Sequence, residues 1–371
     1  MSANIRWLVT VASIAAAAPL TSTAYELAEC AGIVQRWGGS SVIVRAASTS
    51  FPADSVWRTA LQETVDGWNR NPSQMSISLR FGDDSVSFGN FENEIWFTSD
   101  DTILDGAPAR ASMIYSCTGS MLESDVFIDS RISLTTSSAK TAQTGYGGGA
   151  RSFQTLAGHE LGHTLGLLHT RNTYNIMGQD ARHVHTNGSA ARFYPGEDAG
   201  NGIVALYGVR SSIQDLGVVH WRHSGWSGEY SSHSRTRMFN SAGQELASDT
   251  INGERHYRVT RGQTVKVEFS FENNGAARQR SADVGFYIST NDYITTGDWR
   301  IGGRTLDLGR NTISTIQSTV TVLNDLNTTV TCPNSTLRGC YWVGAVVDED
   351  GSLTEINEAN NATYVGIRVL P

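Results

Sequence analysis

The segment GHELGHTLGLLH, residues 158–169, constrains the fold of this chain more than any other part of the sequence. Residues four positions apart share one face of an α-helix, so His159 and His163 can bind one metal ion while Glu160 projects beside them. A third ligand on the same helix would lie too far along the axis, and the chain must therefore turn. Gly166 is the residue type that accepts the positive φ of such a turn, after which His169 approaches the ion from another direction.

Three neutral imidazoles leave the fourth position of a tetrahedral zinc ion open, as in catalytic rather than structural sites. We therefore predict that His159, His163 and His169 bind one zinc ion and that Glu160 is the catalytic residue. The alternative is that these are ordinary core histidines or a solvated helical face. That alternative requires the full spacing to arise by chance in a chain with 9 His, which is a rare event.

The segment HELGHTLGLLH resembles the H-E-x-x-H-x-x-G-x-x-H signature of the metzincin zinc endopeptidases. NIMGQD is similar to the family's Met-turn, and it gives Met177 a structural position below the metal. DAGNGIVALYG resembles the closing helix of the matrixin-like branch, so the resemblance covers about residues 25–208. It implies an α+β catalytic domain with a twisted mixed sheet and long helices. It also implies peptide-bond hydrolysis in which Glu160 acts as general base and then general acid on a zinc-activated water.

Hydrophobic periodicity outlines the first half. DSVWRTALQETVDGWNR has apolar residues at near-helical spacing, with Asp54 as the expected N-cap. Helical spacing from Ser152 through Leu165 predicts a second helix that carries the histidines, and GEDAGNGIVALYG predicts a last helix closed by Gly208. The predicted strands are SVIVRAAS, SISLRF, NEIWFT, ASMIYSCT and SDVFIDS.

Beyond about residue 209 the sequence changes character. Short alternating runs of β-branched and aromatic residues follow one another without a helical segment, which predicts an all-β, immunoglobulin-like sandwich. The runs are HYRV, TVKVEFSFEN, ADVGFYIST, STIQSTVTV, CYWVGAVVD and TYVGIRVL. VKVEFSFENNG and YWVGAVVDEDGSLTEINEANNATYVGIRV resemble a CARDB-type cell-adhesion module, which implies binding to a surface or polymer. Its acids read as turn residues, with calcium binding as the alternative: Asp348, Glu349, Asp350 and Glu358.

The first residues read as an export signal. An apolar run follows Arg6, and small residues at Ser22 and Ala24 predict cleavage after Ala24. A lipoprotein cleavage site before Cys30 is a rival interpretation, weakened by Glu29 where a small residue is needed. No later stretch reaches about 20 apolar residues, so we expect no membrane span.

Four cysteines in an exported chain favour disulfides over free thiols. Sequence proximity pairs Cys332 with Cys340 and leaves Cys30 with Cys117, although three connectivities remain open. An alternative role for Cys30 is to bind zinc and keep the enzyme latent, but we prefer the disulfide. The matrixin cysteine-switch propeptide has no counterpart between residues 25 and 32.

Several further residues have both a functional and an ordinary structural interpretation. The acidic turn SDDTILDG is a candidate for a structural calcium ion, as matrixins have elsewhere in their sheets, or is simply solvated. Two histidines alternate along a strand and could hold a second metal, although such pairs are more often surface residues. Two residues before the last helix lie where the resembling fold builds its specificity pocket, or form an ordinary loop. The acids of this turn are Asp100, Asp101 and Asp105, the two histidines are His183 and His185, and the two residues before the last helix are Tyr194 and Pro195. Gln179 stands where astacin-like members have a tyrosine ligand, so none is expected.

Composition excludes one class of partner. A net charge of -8 and a pI of about 5.6, without a basic cluster, argue against nucleic acid. The length favours two domains after the signal peptide: 1–24 signal peptide, 25–210 zinc metallopeptidase, 211–371 CARDB-like sandwich.

We expect a zinc endopeptidase that is secreted, with the periplasm as a second location, and that acts on proteins or peptides. The first alternative is an extracellular surface- or polymer-binding protein with a vestigial zinc domain, which the intact ligand set argues against. The second is a zinc hydrolase of non-peptide substrates.

Overall fold

The computed structural model describes residues 7–10, 25–170, 176–178, 184–210, 213–220, 236–310 and 312–371. His183 and Gln179 lie outside these ranges. Within them, one hydrophobic core is built from residues between 42 and 203, and another from residues between 216 and 369. The two cores fall on either side of the predicted domain boundary at residue 210, which stays a prediction.

A six-stranded mixed sheet organises the first half. The strands are ordered β1-β8-β9-β7-β5-β6, in which β6, β5, β7 and β9 run parallel and β8 pairs antiparallel with β9. The elements are β1 (Trp7–Thr10), β2 (Glu26–Leu27), β3 (Glu29–Cys30), β4 (Ile33–Val34), β5 (Ser41–Ala47), α1 (Val56–Asn69), β6 (Ser76–Asp83), β7 (Glu94–Thr98), α2 (Asp101–Leu104), β8 (Ala109–Tyr115), β9 (Met121–Asp129), β10 (Leu134–Thr135), β11 (Arg151–Ser152), α3 (Phe153–Thr164), β12 (Leu167–Leu168), β13 (His185–Thr186), β14 (Ala191–Arg192) and α4 (Gly196–Tyr207). A mixed sheet with few helices agrees with the α+β expectation.

Helix α1 begins one residue later than expected. Its N-cap is Ser55, whose hydroxyl accepts a hydrogen bond from the Arg58 N–H at 3.1 Å. The predicted cap, Asp54, is wrong because its φ of 60° is left-handed, whereas a capping residue needs an extended backbone. Trp68, fully buried at the end of α1, donates its indole N–H to the Gly158 carbonyl of α3 at 2.8 Å. This bond ties the two helices together.

Helix α3 has the bounds that the turn argument requires. The Ser152 hydroxyl accepts from the Thr155 N–H at 3.2 Å and caps the start, and the helix ends at Thr164. Gly166 follows with φ 95°, and a Cβ there would lie 3.0 Å from a Leu206 methyl carbon. Both the backbone conformation and the available space therefore favour glycine. Strand β12 then pairs antiparallel with β2, which holds the chain that leads to His169.

The second half is all β. Two sheets enclose its core, one with β15-β19-β16 and β22 on β19, the other in the order β17-β18-β24-β23-β20-β21. The strands are β15 (Leu216–Val218), β16 (Arg237–Phe239), β17 (Ser248–Ile251), β18 (Glu254–Thr260), β19 (Thr264–Asn273), β20 (Gln279–Ser289), β21 (Trp299–Leu308), β22 (Thr312–Thr321), β23 (Cys340–Val347) and β24 (Ala362–Leu370). The six runs predicted from alternation are all strands. The sequence did not reveal β21, because its largely exposed WRIGGRTLDL lacks regular alternation.

Both expected disulfides are present. Cys30 is bonded to Cys117 and Cys332 to Cys340, with Cα atoms 5.0 and 5.1 Å apart. The first joins β3 to the β8–β9 turn, and the second closes a short loop beside β23. Among the described residues no helix is both long and apolar enough to cross a bilayer.

Candidate metal centre

Two of the expected metal ligands are held by α3. His159 and His163 lie one helical turn apart, and both are almost fully buried, at 4% and 2% exposure. Their rings lie with centroids 4.9 Å apart, on the face of the helix that the i, i+4 spacing predicts. The helix thus presents two imidazoles to one point.

His169 brings the third imidazole to that point after the Gly166 turn. Its Nε2 lies 2.9 Å from His159 Nε2 and 3.2 Å from His163 Nε2. A tetrahedral zinc ion with Zn–N bonds of about 2.0–2.1 Å separates its ligand nitrogens by about 3.3–3.4 Å, within a few tenths of an ångström of these values. The spacing of the three nitrogens therefore fits a zinc ion.

The other ring nitrogens show why Nε2 faces inward. His159 Nδ1 donates to the Ile176 carbonyl at 2.5 Å, and His163 Nδ1 donates to the Leu167 carbonyl at 2.7 Å. Proton-bearing Nδ1 atoms leave a lone pair on each Nε2, so lone pairs face one another unless a cation lies between them. Burial lowers the pKa of His159 to about 4 and that of His163 well below its usual value. The imidazoles are therefore neutral, as metal binding requires.

Glu160 lies on a different face of α3, against β8. Its side chain is 5% exposed and accepts a hydrogen bond from the backbone N–H of Ala111, with Arg110 nearby. Burial raises its pKa to about 8 despite these two stabilising contacts. A buried carboxyl group near the three imidazoles, with a pKa near neutrality, is suited to accept and return a proton.

Met177 packs against α3 where the sequence places glycine. A Cβ on Gly162 would lie 2.3 Å from the Met177 sulfur, and a Cβ on Gly158 would lie 2.5 Å from the Phe193 ring. Both glycines therefore permit close approach to the ligand helix. We did not single them out from the sequence, although their i, i+4 spacing inside a helix is a signal that could have been read. Ala111 was missed as well, because no local pattern links it to Glu160.

Three other groups of sequence candidates lie elsewhere. Asp101 pairs with Arg131 at 2.6 Å, and Asp100 caps α2. Among the described residues, this acidic turn is not one of the groups that could hold a metal ion. His185 is buried, and burial lowers its pKa to about 4, but it belongs to none of those clusters either. Tyr194 is buried with its hydroxyl 3.3 Å from Glu272 Oε1 of β19, and Pro195 immediately precedes α4.

A group of acidic residues lies around the first residue of β7, Glu94, next to β9. Asp83, Glu92 and Glu94 bring ligand oxygens within 4.8 Å of one another. Glu94 Oε1 and Asp125 Oδ2 are buried and have no hydrogen-bond partner. Burial, reinforced by Glu123 and Glu94, raises the pKa of Asp125 to about 9. These acids were not singled out from the sequence, because they come together only through the pairing of the sheet.

In the sandwich, Asp348 belongs to two triads of ligand-competent acids, one with Asp283 and Asp350 and the other with Glu355 and Glu358. Glu349 of the same loop instead pairs with Arg300 at 2.7 Å. Asp348 also accepts hydrogen bonds from the Ser352 and Leu353 N–H groups, so it serves as the turn residue that the sequence predicts.

Comparison with known families finds one match in each half of the chain. Residues 46–208 match the family model for Matrixin, and residues 250–365 match the model for CARDB. No match is found among curated proteins.

Solved structures similar to the chain include the CARDB domain of the PF1109 protein from Pyrococcus furiosus in complex with di-metal ions, at 17% identity and a TM-score of 0.25, covering 43% of this chain and 90% of that one. Another is a putative cell surface protein domain from Methanosarcina acetivorans, at 15% identity and a TM-score of 0.20, covering 30% and 77%. Likenesses this distant carry no functional argument.

Proposed function

We propose that this chain, which joins a matrixin module to a CARDB module, is a secreted zinc-dependent endopeptidase. The observation that carries the proposal is the convergence of three imidazoles on one point, with His169 Nε2 2.9 Å from His159 Nε2 and 3.2 Å from His163 Nε2, beside the buried Glu160. The matrixin match supports a metallopeptidase at the level of the family.

In the proposed hydrolysis of the peptide bond, the three histidines bind the metal ion and Glu160 transfers the proton. A zinc ion bound by His159, His163 and His169 supplies Lewis-acid activation of water and of the scissile carbonyl. Glu160 accepts a proton from the attacking water and then delivers it to the nitrogen of the leaving amine.

Strand β8 offers a binding edge for the substrate backbone. Residues 7–10 form β1, which pairs antiparallel with residues 112–115 of β8. If the predicted signal peptide 1–24 is removed, that edge is free, next to the Ala111 N–H that contacts Glu160. An extended peptide that takes the place of β1 gains main-chain hydrogen bonds and passes the three imidazoles.

We propose that the protein is exported and that its CARDB module targets it. Two disulfides suit an oxidising compartment, and the N-terminal run supports a signal peptide. The CARDB module is proposed to bind a surface or polymer and to bring the protease to its substrates.

We also propose a structural calcium ion at the Glu94–Asp125 group. Glu94 Oε1, which is buried without a hydrogen-bond partner, lies with Asp83 and Glu92 in one group of hard oxygen ligands, and the buried Asp125 is adjacent to Glu94. An ion there compensates the negative charge of these acids.

The decisive experiment compares Glu160→Gln with the wild type. We expect the mature wild type to cleave casein, and the variant to lose at least 100-fold in kcat/KM while it keeps one zinc per chain by mass spectrometry. Glu63→Gln, on the exposed face of α1, is the matched control and should keep full activity.

Peptidase activity in Glu160→Gln would overturn the mechanism. Zinc binding without any cleavage by the wild type would favour the vestigial alternative.

A further inference from the structure

The two halves of this chain are in contact, and on the catalytic side the contact includes the hairpin β13–β14, the residues around Lys140 and α4. We propose that the sandwich is docked on the catalytic module and positions residues 184–195, the segment that leads into α4, with Lys140 as the central positioning residue. This inference rests on the proposed peptidase function. It makes the sandwich part of the substrate site in addition to a targeting module.

Lys140 is buried in a socket formed by the sandwich. Only 8% of the residue is exposed, and its ammonium group lies 2.5 Å from Asp292 Oδ2 and 2.5 Å from the Tyr364 hydroxyl. Tyr364 donates in turn to Glu254 Oε1 at 2.6 Å. A buried lysine is costly unless its charge is paired and its donors are used. The socket meets both conditions with groups that only the sandwich supplies.

The tip of the hairpin is held by backbone contacts with the sandwich. The Asn187 amide makes two hydrogen bonds to Ile294, donating to its carbonyl at 2.9 Å and accepting from its N–H at 2.8 Å. The Gly188 N–H donates to the Asp292 carbonyl at 2.7 Å. A Cβ on Gly188 would lie 2.9 Å from the Tyr293 ring. Contacts this close fix the register of the hairpin against one loop of the sandwich.

The hairpin and the Lys140 loop form one unit. The Lys140 N–H donates to the Ser189 carbonyl at 2.8 Å, and the Ala191 N–H donates to the Ser138 carbonyl at 2.7 Å. Gln143 adds a side-chain hydrogen bond to the Ala191 carbonyl at 3.1 Å. A shift at the lysine socket is therefore transmitted to β14 and to the residues that follow it.

Those residues reach the ligand helix. Phe193, directly after β14, packs over Gly158, the residue before His159, while the next side chain, Tyr194, turns to the sandwich and contacts Glu272. The sandwich thus contacts a segment that also packs on the ligand helix, through Phe193.

The helix geometry places this segment opposite β8. Gly158 faces Phe193 of this segment, whereas Glu160 is two residues away, about 200° around the helix, and faces β8. A peptide at the metal is therefore flanked by β8 on one side and by the segment on the other. Loosening this segment should weaken substrate binding more than chemistry, because the groups that hold His159, His163 and Glu160 lie outside it. They are the Ile176 carbonyl, the Leu167 carbonyl and the Ala111 N–H.

The test is Lys140→Met in the full mature chain, measured with a peptide substrate that the wild type cleaves. We expect KM to rise at least fivefold, kcat to change less than twofold, and zinc content to stay at one per chain. Arg278→Met, which breaks the exposed Arg278–Asp307 pair of the sandwich, is the matched control and should leave both constants unchanged. Tyr194→Phe, which removes only a hydroxyl, should raise KM in the same direction and serves if Lys140→Met does not fold.

The outcomes separate the two proposals. An inactive wild type contradicts the peptidase function. An active wild type whose KM and cleavage-site preference are unchanged in both Lys140→Met and Tyr194→Phe overturns the positioning role. A loss of zinc from Lys140→Met together with a fall in kcat also overturns it, because that result places the effect on the ligands.

Discussion

The disulfide between Cys30 and Cys117 should support the zinc site as well as the fold. The bond anchors β3, and the preceding strand β2 pairs with β12, directly before His169. The Ala28 N–H also donates to the Gly166 carbonyl at 2.9 Å, at the turn that redirects the chain. Removing the bond in Cys30→Ser/Cys117→Ser should therefore free the strand that supports the third ligand.

The expected size of the effect follows from the loop that the bond closes. A sequence separation of 87 corresponds to a loss of about 4.6 kcal/mol in the free energy of unfolding, from the entropy that the open chain regains. Both cysteines are only half-buried, so lost packing adds little. With a urea m-value of about 2 kcal/mol/M, the midpoint of unfolding should fall by about 2 M.

Two measurements check this prediction. Urea unfolding followed by tryptophan fluorescence gives the stability, and a timed challenge with a chelator gives the retention of zinc. Cys332→Ser/Cys340→Ser lies in the other module and is the control: it should lose stability but hold zinc as the wild type does. A loss below about 1 kcal/mol, or equal zinc loss in both variants, would refute the reasoning.

Two further predictions concern buried groups near the site. Burial raises the pKa of Asp125 to about 9, above its unfolded value of 3.8, so its stabilising contribution is present at low pH and is lost as the pH rises. Between pH 6 and 8 without calcium the free energy of unfolding should fall by up to about 3 kcal/mol, and calcium or Asp125→Asn should flatten this profile in thermal unfolding. A wild-type profile that is already flat without calcium would contradict this. Gly162→Ala should cost about 1–3 kcal/mol because the new Cβ meets the Met177 sulfur, and it should speed zinc loss. Gly149→Ala, in open space, is its control, and equal effects of the two would count against the packing argument.

The glycines of α3 illustrate a conflict between local and tertiary preferences. Glycine inside a helix costs roughly 0.5–1 kcal/mol relative to alanine, and α3 has two, at Gly158 and Gly162. They are retained at the points where Phe193 and Met177 approach the helix axis. The two glycines that weaken the isolated helix are therefore the residues that allow Phe193 and Met177 to pack closely against it.

Much of the site could be read from the chain because its determinants are local. The i, i+4 spacing of His159 and His163, the glycine turn and the position of His169 all lie within a dozen residues, where helix geometry alone relates them. Alternation likewise identified six strands of the sandwich, and Gly208 marked the end of α4 with its φ of 78°. Such features depend on backbone periodicity, which operates over a few residues.

What the tertiary structure alone decided involves residues far apart in the chain. Asp54 lost the capping position to Ser55 because the preceding turn imposed a left-handed backbone on it. Asp101 pairs with Arg131 instead of with a metal ion. The buried carboxylate oxygens that lack a partner belong to Glu94 and Asp125, on strands that are neighbours only in the sheet.

Lys140 lies 152 residues from Asp292 and 224 residues from Tyr364, so no window of sequence could join them. The metal ligands were determined by local geometry, whereas their supports and the docking of the sandwich were determined by burial, since a buried charge must find its partner wherever the fold supplies one.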